Sequence, residues 1–250
     1  MKKSKTLIVS TNRLVLLLRR IYLEGKMKAG CLIELEDGIG STQAMDTDGS
    51  VFLSCSSRLA DSSVKWVLGI GDLDLMIKFL STVEEKKVSL KLERNRLTVH
   101  RPKHGSLKFL LTDADVVPTI VEDLNTTKKL VKQCKYSLII TESVRDDVVR
   151  YINMLGTRNV TLKFAKGLVT LRGGLDTDHQ YSLTMGRTER GDSAEAFHLQ
   201  FYGDTLVKVF DILEYGEKIK KPKLLFGEDK PIVVKQNKGN LWALLHSEEE

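Results

Sequence analysis

The stretch from Met76 to Arg101 reads M-I-K-F-L-S-T-V-E-E-K-K-V-S-L-K-L-E-R-N-R-L-T-V-H-R. Its first part repeats apolar residues at the spacing of an amphipathic helix, namely at Met76, Ile77, Leu80 and Val83. From Val88 onward the apolar residues alternate with polar ones on both sides of the polar tip 93–96, and this alternation is typical of a β-hairpin. The stretch therefore predicts a short helix followed by a hairpin.

The same pattern returns about 72 positions later, between Val148 and Gly173. Four aligned pairs are identical, Val88/Val160, Leu90/Leu162, Lys91/Lys163 and Thr98/Thr170. Looser copies occupy both ends of the chain. In the first copy the helical pattern of 13–24 precedes strands at 31–36 and 50–54, with a loop predicted at 42–49, and in the last copy 205–215 precedes 223–226 and 230–235. The apolar stripe of the first helix is Leu14, Leu17, Leu18 and Ile21, and its predicted N-cap is Thr11 or Asn12. Asp72 is the predicted N-cap of the second helix. Internal repeats of this kind decide the fold class, so the sequence predicts four helix-hairpin repeats.

The repeats predict an α+β protein of two similar domains, each with two helices on antiparallel sheets. The first domain is expected at 1–115 and the second at 134–250, because a chain of 250 residues can bury two cores. The segment 116–133 follows no strong helical or strand pattern and is interpreted as the interdomain connector. Since Val121 and Leu124 make it partly apolar, we expect it to lie on the surface of a domain.

Composition excludes several classes of protein. The chain is 42% hydrophobic and 29% charged, with a net charge of +6, which is ordinary for a globular protein. The longest uncharged apolar run, 14–18, is too short to span a bilayer, and Arg13, Arg19 and Arg20 interrupt any apolar core of a signal peptide. The expected location is intracellular, in the cytoplasm or the nucleus. Three widely spaced cysteines predict buried thiols without a disulfide or a zinc site.

No stretch carries a recognisable catalytic motif. There is no Walker A run, no G-x-S-x-G and no H-E-x-x-H. Asp46 and Asp48 resemble the start of a calcium loop without its later ligands, and Asp176 and Asp178 fall in a glycine-rich connection. The sequence therefore predicts a protein that is not an enzyme and needs no metal or cofactor. A metal-dependent hydrolase built on these four aspartates is a less favoured alternative, because the two pairs belong to different repeats.

Each predicted helix carries arginine or lysine on its expected solvent face. The predicted DNA-facing residues are Arg13, Arg19, Arg20, Lys78, Arg145, Arg150 and Lys208. Helices of about a dozen residues span roughly 18 Å, and they can lie across the grooves of a duplex without entering them. Contacts to phosphates alone would give binding without sequence preference.

The order of these features resembles the sliding-clamp family, the DNA polymerase processivity factors, in the two-domain form typified by proliferating cell nuclear antigen and phage clamps. The resemblance covers nearly the whole chain. It depends on helix, strand, the segment Gln43-Ala44-Met45-Asp46, the strand 51–53, a helix, a hairpin and a connector, followed by the same order again. It also depends on the ending Lys230-Pro231-Ile232-Val233-Val234, then Asn240-Leu241-Trp242-Ala243-Leu244-Leu245 and the acidic tail 248–250.

The resemblance implies a DNA-clamp fold in which three chains close a ring of six domains, with twelve helices around the hole. It implies double-stranded DNA, a DNA polymerase and a clamp loader as partners, with no membrane. The implied partner pocket comprises Met45, Val51, Leu53, Val121, Leu124, Pro231 and Leu244. The implied subunit interface comprises Lys108, Phe109, Leu110, Leu111, Tyr181, Ser182 and Leu183. A subunit of a hetero-oligomeric clamp or a monomeric processivity subunit is the alternative.

Overall fold

The computed structural model describes most of the chain. The described residues are 5–27, 30–46, 50–101, 105–114, 124–174, 179–189, 196–228, 230–236 and 241–245. The strands of the first half are β1 (Lys5–Ser10), β2 (Cys31–Glu36), β3 (Ile39–Met45), β4 (Val51–Arg58), β5 (Trp66–Ile70), β6 (Lys87–Glu93), β7 (Arg96–Arg101) and β8 (Gly105–Leu110). Those of the second half are β9 (Tyr136–Ile139), β10 (Asn159–Ala165), β11 (Leu168–Gly173), β12 (Tyr181–Arg187), β13 (Phe197–Tyr202), β14 (Lys223–Phe226), β15 (Ile232–Gln236) and β16 (Leu241–Leu245). The helices are α1 (Thr11–Tyr22), α2 (Leu73–Ser81), α3 (Leu124–Gln133), α4 (Glu142–Leu155) and α5 (Gly203–Asp211).

Four copies of one motif make up this order of elements. Each copy is a strand, a helix and three further strands: β1-α1-β2-β3-β4, β5-α2-β6-β7-β8, β9-α4-β10-β11-β12 and β13-α5-β14-β15-β16. Among the described elements, α3 stands outside the motif, and a short 3-10 helix (Leu23–Gly25) follows α1. The predicted α+β class and the fourfold helix-hairpin repeat are therefore confirmed.

The chain divides into two compact units. Unit 1 comprises Met1–Asp46 and Ser54–Ile120, and unit 2 comprises Thr47–Leu53 and Val121–Glu250. Unit 1 contains the antiparallel sheet β1-β6-β7-β8 and the strands β5-β2-β3 with residues 54–58 of β4. Unit 2 contains the sheet β12-β11-β10-β13 and the strands β9-β14-β15-β16. In each unit the two helices of the motif pack against each other, α1 on α2 and α4 on α5.

The first strand of each motif pairs with the other motif of the same unit. In unit 1, β1 lies beside β6 with Leu7 opposite Leu90 and Val9 opposite Val88, and all four side chains are buried. In the same way β5 pairs with β2, β9 with β14 and β13 with β10. We call these four first strands the exchanged strands. Because side chains alternate along a strand, this register places one face of each exchanged strand in the core.

Four aromatic side chains form the centre of unit 2. Tyr136 lies 4.3 Å from Phe164 between ring centroids, and Phe197 lies 5.1 Å from Phe164. Phe226 completes the cluster at 5.7 Å from Tyr136. The four residues come from β9, β10, β13 and β14, so the cluster joins the two sheets of the unit by contacts that add to the burial of apolar area.

The helix ends follow the predicted capping at one site and depart from it at another. Asp72 caps α2 as predicted, since its Oδ1 accepts a hydrogen bond from the Leu75 N–H at 2.9 Å. The prediction that Thr11 or Asn12 caps α1 is wrong. Ser10 occupies that position without a side-chain cap, and the buried Thr11 hydroxyl instead donates to the Glu85 carbonyl at 2.7 Å.

Two segments interpreted as irregular are regular in the structure. The predicted loop after Thr42 begins later, because β3 continues to Met45 with alternating burial. The second half of the predicted connector contains α3, in which three of the ten residues, Leu124, Leu130 and Val131, are apolar, so its apolar stripe is short. Lysine, leucine and glutamine favour helices through their intrinsic propensity, which a search for apolar periodicity does not detect.

The cysteines divide into two environments. Cys31 and Cys55 are buried as predicted, and burial raises the pKa of each thiol to about 12. Cys134 is half-buried, and burial raises its pKa to about 11. Both inner thiols are thus protonated and unreactive at neutral pH. Among the described residues, no helix is long and apolar enough to cross a bilayer.

The aromatic cluster provides a test of the core of unit 2. Phe164 is 1% exposed, and Phe164→Ala is expected to lower the free energy of unfolding of unit 2 by about 3–5 kcal/mol because it leaves a cavity between the two sheets. Leu168→Ala, on the neighbouring strand, is the control. Its side chain is 37% exposed, so the expected loss is below about 1 kcal/mol. Denaturant unfolding of both variants measures the difference, and equal losses would contradict the assignment of the cluster as the core.

Candidate nucleic-acid interface

Helix α1 presents two arginines to solvent in unit 1. Its buried stripe is the predicted one, with Leu14, Leu17, Leu18 and Ile21 all in the core. Arg13 and Arg19 are exposed on the opposite side. The Arg13 Nη1 donates to the Arg58 carbonyl at 3.0 Å, and the Arg19 Nη2 donates to the Ser81 hydroxyl at 3.1 Å, at the end of α2. Both side chains are therefore held by neutral acceptors and keep their full charge.

Arg20 departs from the prediction. Its side chain is buried, with the residue only 3% exposed, so the assignment of Arg20 to a DNA-facing surface is wrong. Arg20 and Arg13 are seven residues apart and differ by only about 20° around an ideal helix axis, so helical periodicity gives them the same face. The difference is tertiary, because the Arg20 guanidinium lies close enough to Cys55 on β4 to lower the pKa of that thiol against the larger effect of burial.

Helix α2 carries the next predicted cation, Lys78, which is exposed as expected. Its Nζ lies 2.5 Å from Oδ2 of Asp74, one helical turn earlier. That hydrogen bond is the main reason why the pKa of Lys78 is raised. The lysine therefore stays charged, but the neighbouring carboxylate compensates its charge.

The three predicted cations of unit 2 are compensated in the same way. Arg150 pairs with Asp147 at 3.6 Å and Lys208 pairs with Asp204 at 3.3 Å. Arg145 is only 20% exposed, so the prediction that it points outward is wrong. It pairs with Asp146 at 2.7 Å and with Glu142 at 3.5 Å, and its guanidinium lies 5.0 Å from the centre of the Tyr215 ring.

These pairs change the electrostatics of the helix faces. Four of the seven predicted DNA-facing residues have an acidic partner on their own helix, whereas Arg13 and Arg19 have none among the described residues. The sequence contains the signal, since Asp74 and Asp204 stand four residues before their lysines and Asp147 three residues before its arginine. The pattern of cations alone does not show this compensation, because it depends on the acidic residue one turn away on the same helix.

The predicted interface residues lie on strands at the ends of sheets. β8 is the last strand of the sheet β1-β6-β7-β8, and β12 is the last strand of β12-β11-β10-β13. On β8 Lys108 and Leu110 are exposed, with Leu110 at 70%, and Leu111 just beyond the strand is half-buried. Phe109 instead points into the core and packs edge-on against Phe79 at 6.2 Å, so its side chain is not part of the surface.

On β12 the exposure alternates in the same manner. Ser182 is exposed, and Leu183 and Tyr181 are half-buried. The Tyr181 ring stacks on Tyr151 of α4 with centroids 5.8 Å apart, and burial raises the pKa of its hydroxyl. Both strands thus combine an open edge with exposed side chains, which is the arrangement that permits pairing with another chain.

Comparison with solved structures aligns nearly the whole chain at low sequence identity. A. fulgidus PCNA bound to the C-terminal region of FEN-1 matches with a TM-score of 0.73 and 14% identity, over 98% of each chain. Proliferating cellular nuclear antigen from Entamoeba histolytica matches with a TM-score of 0.71 and 13% identity, also over 98% of each chain. A putative DNA polymerase III beta subunit from Eubacterium rectale matches with a TM-score of 0.73 and 11% identity, over 100% of this chain and 67% of the other.

This chain has the sliding-clamp fold. No family model matches its sequence, and no curated protein matches it either, so the likeness lies in the fold. The sliding-clamp fold confirms the predicted DNA-clamp class with its antiparallel sheets and few helices.

The structure revises the partner pocket that the resemblance to clamps implied. Val51 and Leu53 are fully buried, so the prediction that they line an accessible pocket is wrong. The first three residues of β4 are all buried because both faces of the strand are covered, which its uninterrupted apolar sequence already indicates. Met45 is 41% exposed and Pro231 is half-buried.

The other implied pocket residues are only partly described. Leu244 lies on β16 opposite Val233, and Leu124 begins α3. Val121 lies outside the described residues.

The residues of the metal alternative are also only partly described. Asp46 is buried and pairs with Lys26 at 3.4 Å, whereas Asp48, Asp176 and Asp178 lie outside the described part of the chain. The described residues contain no group of three or more histidine, cysteine, aspartate or glutamate side chains able to hold a metal ion.

The burial of Arg20 gives a direct test of the revised helix face. Arg20→Glu is expected to destabilise unit 1 by more than about 3 kcal/mol, because it places a carboxylate in a buried site shaped for a cation. Arg13→Glu and Arg19→Glu change exposed side chains and are expected to stay within about 0.5 kcal/mol of the wild type. Thermal and denaturant unfolding distinguish the two groups, and a fully stable Arg20→Glu protein would refute the buried position.

Proposed function

We propose that this protein is a DNA sliding clamp, a ring that encircles duplex DNA and tethers a DNA polymerase during processive synthesis. The observation that carries the proposal is the match of the whole chain to clamps, including 98% of the length of A. fulgidus PCNA. A match over all four repeats involves the architecture rather than one shared motif. The A. fulgidus protein binds the C-terminal region of FEN-1, and this supports peptide-bearing partners for the present chain.

Ring closure is supported by the two open strand edges. The Leu111 N–H donates to the Asn95 carbonyl at 2.8 Å, just beyond the end of the β7–β8 ladder. Since hydrogen-bonded and non-hydrogen-bonded pairs alternate along antiparallel strands, the N–H groups of Lys108 and Leu110 point away from β7. β8 of one copy therefore offers free donors to β12 of the next. Such head-to-tail contacts close into a ring when the rotation allows it, here as a homotrimer.

The helix faces on which most cations are paired with acidic residues fit the proposed sliding along DNA. A clamp must slide, and tight contacts to phosphates would hold it in place. With most helix cations paired to acids, direct affinity for duplex DNA is expected to be weak and to fall further with salt. Arg13 and Arg19 supply the remaining uncompensated charge on α1. Retention on DNA then comes from encirclement.

Polymerase and clamp-loader binding are part of the same proposal. The resemblance to clamps implies an apolar contact for partner peptides at Met45, Val121, Leu124, Pro231 and Leu244. Taken each within its own unit, Met45 is exposed and Pro231 is half-buried, so both are accessible. Apolar and aromatic anchors carry most of the free energy in contacts of this kind. Clamps act through binding, so no catalytic residue is assigned.

Assembly is tested by proline substitution on two opposite edges of one sheet. Leu110→Pro removes an N–H that points out of the sheet, and it is expected to convert the trimer to monomers without unfolding unit 1. Ile8→Pro on β1 is the matched control. Ile8 is also exposed, at 60%, and its N–H also points outward because the Ser10 N–H donates to Leu59 and the Thr11 N–H to Lys86.

Sedimentation equilibrium at micromolar concentration gives the result. Three chains for the wild type and for Ile8→Pro, with one chain for Leu110→Pro, supports the ring. A wild-type monomer contradicts the homotrimer and favours the alternative of a monomeric processivity subunit or a member of a hetero-oligomeric clamp.

Encirclement is tested on DNA of two topologies. After loading on a nicked circular plasmid, the protein is expected to remain bound during gel filtration, and cutting the plasmid once should release most of it. Arg13→Glu combined with Arg19→Glu is expected to reduce loading about tenfold or more, since it reverses the uncompensated charges. Lys163→Glu combined with Lys166→Glu, on the β10–β11 hairpin, makes the same charge change and is expected to load normally. Equal retention on circular and cut DNA would show local binding instead.

A further inference from the structure

Unit 2 contains a groove that none of the residues assigned above lines. It lies where the end of α3 meets the strands β9, β14 and β15, and its volume is about 370 Å³. A cavity of this size is within the range of ligand pockets. The lining residues, which define the lysine groove, are Val131, Cys134, Lys135, Tyr136, Ser137, Lys220, Lys221, Lys223, Leu225, Lys235 and Gln236.

The lysine groove is strongly and asymmetrically charged. Five lining residues are lysines and none is acidic. Lys223 pairs with Glu189 at 2.5 Å. Lys135, Lys220 and Lys221 are exposed and form no ion pair with any acidic residue that the structure describes. This differs from the helix faces, where each lysine has a carboxylate one turn away.

Two of the groove lysines lie on paired strands. Lys223 on β14 lies directly opposite Lys235 on β15 in the antiparallel register. Side chains at such positions have Cβ atoms about 5 Å apart. Both lysines extend to the outer face, since Leu224 and Val234 between the same strands point into the core. Glu189 compensates the charge of Lys223, so the uncompensated charge of the groove comes from Lys135, Lys220 and Lys221.

The floor of the lysine groove is apolar. Leu225 and Val131 are half-buried and remain partly accessible, and Tyr136 directs its ring into the aromatic cluster. A ligand that fits therefore needs an apolar side chain between its negative groups. Duplex DNA carries negative charge along its whole backbone and does not meet this requirement. Lysines are compact charges on flexible stems and suit carboxylates spaced along an extended chain.

We propose that the lysine groove binds an acidic peptide segment of a partner protein. Carboxylates of the peptide pair with Lys135, Lys220 and Lys221, and one apolar side chain of the peptide packs on Leu225. Charge complementarity of this type selects the partner and speeds association. The site goes beyond the proposed clamp function and does not depend on ring closure or on DNA.

The probe is a fluorescein-labelled decapeptide with six glutamates or aspartates and a central leucine. Its binding to the full chain is followed by fluorescence anisotropy at low and physiological salt. We expect saturable binding that weakens at least tenfold for Lys220→Gln combined with Lys221→Gln. Lys86→Gln combined with Lys87→Gln is the matched control, because these two lysines are also adjacent and exposed but belong to unit 1. The control is expected to bind within twofold of the wild type.

Three further arms make the test decisive. A peptide with glutamine and asparagine in place of its acids is expected to lose binding, and one with serine in place of its leucine is expected to bind several-fold more weakly. Modification of Cys134 by a thiol reagent at pH 9 is expected to slow when the acidic peptide is present, because this cysteine lines the groove. Cys31 and Cys55 are buried and do not interfere.

Specific outcomes would overturn the proposal. Equal losses in the two lysine variants would show general attraction to a basic protein. Unchanged Cys134 reactivity at saturating peptide would place the peptide elsewhere. Tighter binding and stronger Cys134 protection by a duplex of equal charge would identify a nucleic-acid surface instead. Failure of trimer formation or of DNA encirclement would leave all these results unaffected, so the two proposals fail separately.

Discussion

The exchange of the first strand between neighbouring repeats is the interaction on which this fold depends. No repeat completes its own sheet: β1 pairs with β6, β5 with β2, β9 with β14 and β13 with β10. The helix that follows each exchanged strand must then cross from one sheet to the other, and this brings the two helices of a unit side by side. The same exchange leaves β8 and β12 as the end strands of their sheets. The packing of the two helices and the end positions of β8 and β12 are thus both consequences of the strand exchange.

Much of this architecture could be predicted from the sequence because it depends on local periodicity. The change from a helical to an alternating pattern after Val83 and the return of that pattern at Val160 located the hairpins, and Asp72 located a helix start. Strand partners were out of reach, since nothing in the sequence of β1 distinguishes β6 from β2 as its neighbour. Helix α3 was not predicted because three apolar residues in ten, Leu124, Leu130 and Val131, make too short a stripe to stand out in the sequence.

The site was predicted less completely, for two physical reasons. Burial of a charged residue depends on tertiary neighbours, and Arg20 reaches Cys55 although Arg13, at nearly the same helical angle, does not. Compensation of a cation depends on an acidic residue three or four positions away on the same helix. Asp74, Asp147 and Asp204 have this spacing from their cations, but the prediction of DNA-facing residues used only the positions of the cations. The buried Val51 and Leu53 show a related error, because three consecutive apolar residues in a strand indicate that both faces are covered.

The chain has two kinds of basic surface, the faces of α2, α4 and α5 and the lysine groove. They differ in whether their cations are paired with acidic residues, and this difference fits the different roles proposed for them. On α2, α4 and α5 each cation has an acid one turn away, so a ligand gains little by approaching it and must displace an existing partner. In the lysine groove Lys135, Lys220 and Lys221 are exposed and form no ion pair with any acidic residue that the structure describes. A helix face whose cations are already paired suits the proposed sliding along DNA, because it holds phosphates only weakly. A groove whose lysines lack such partners suits the proposed binding of an acidic peptide, because the peptide displaces no existing partner.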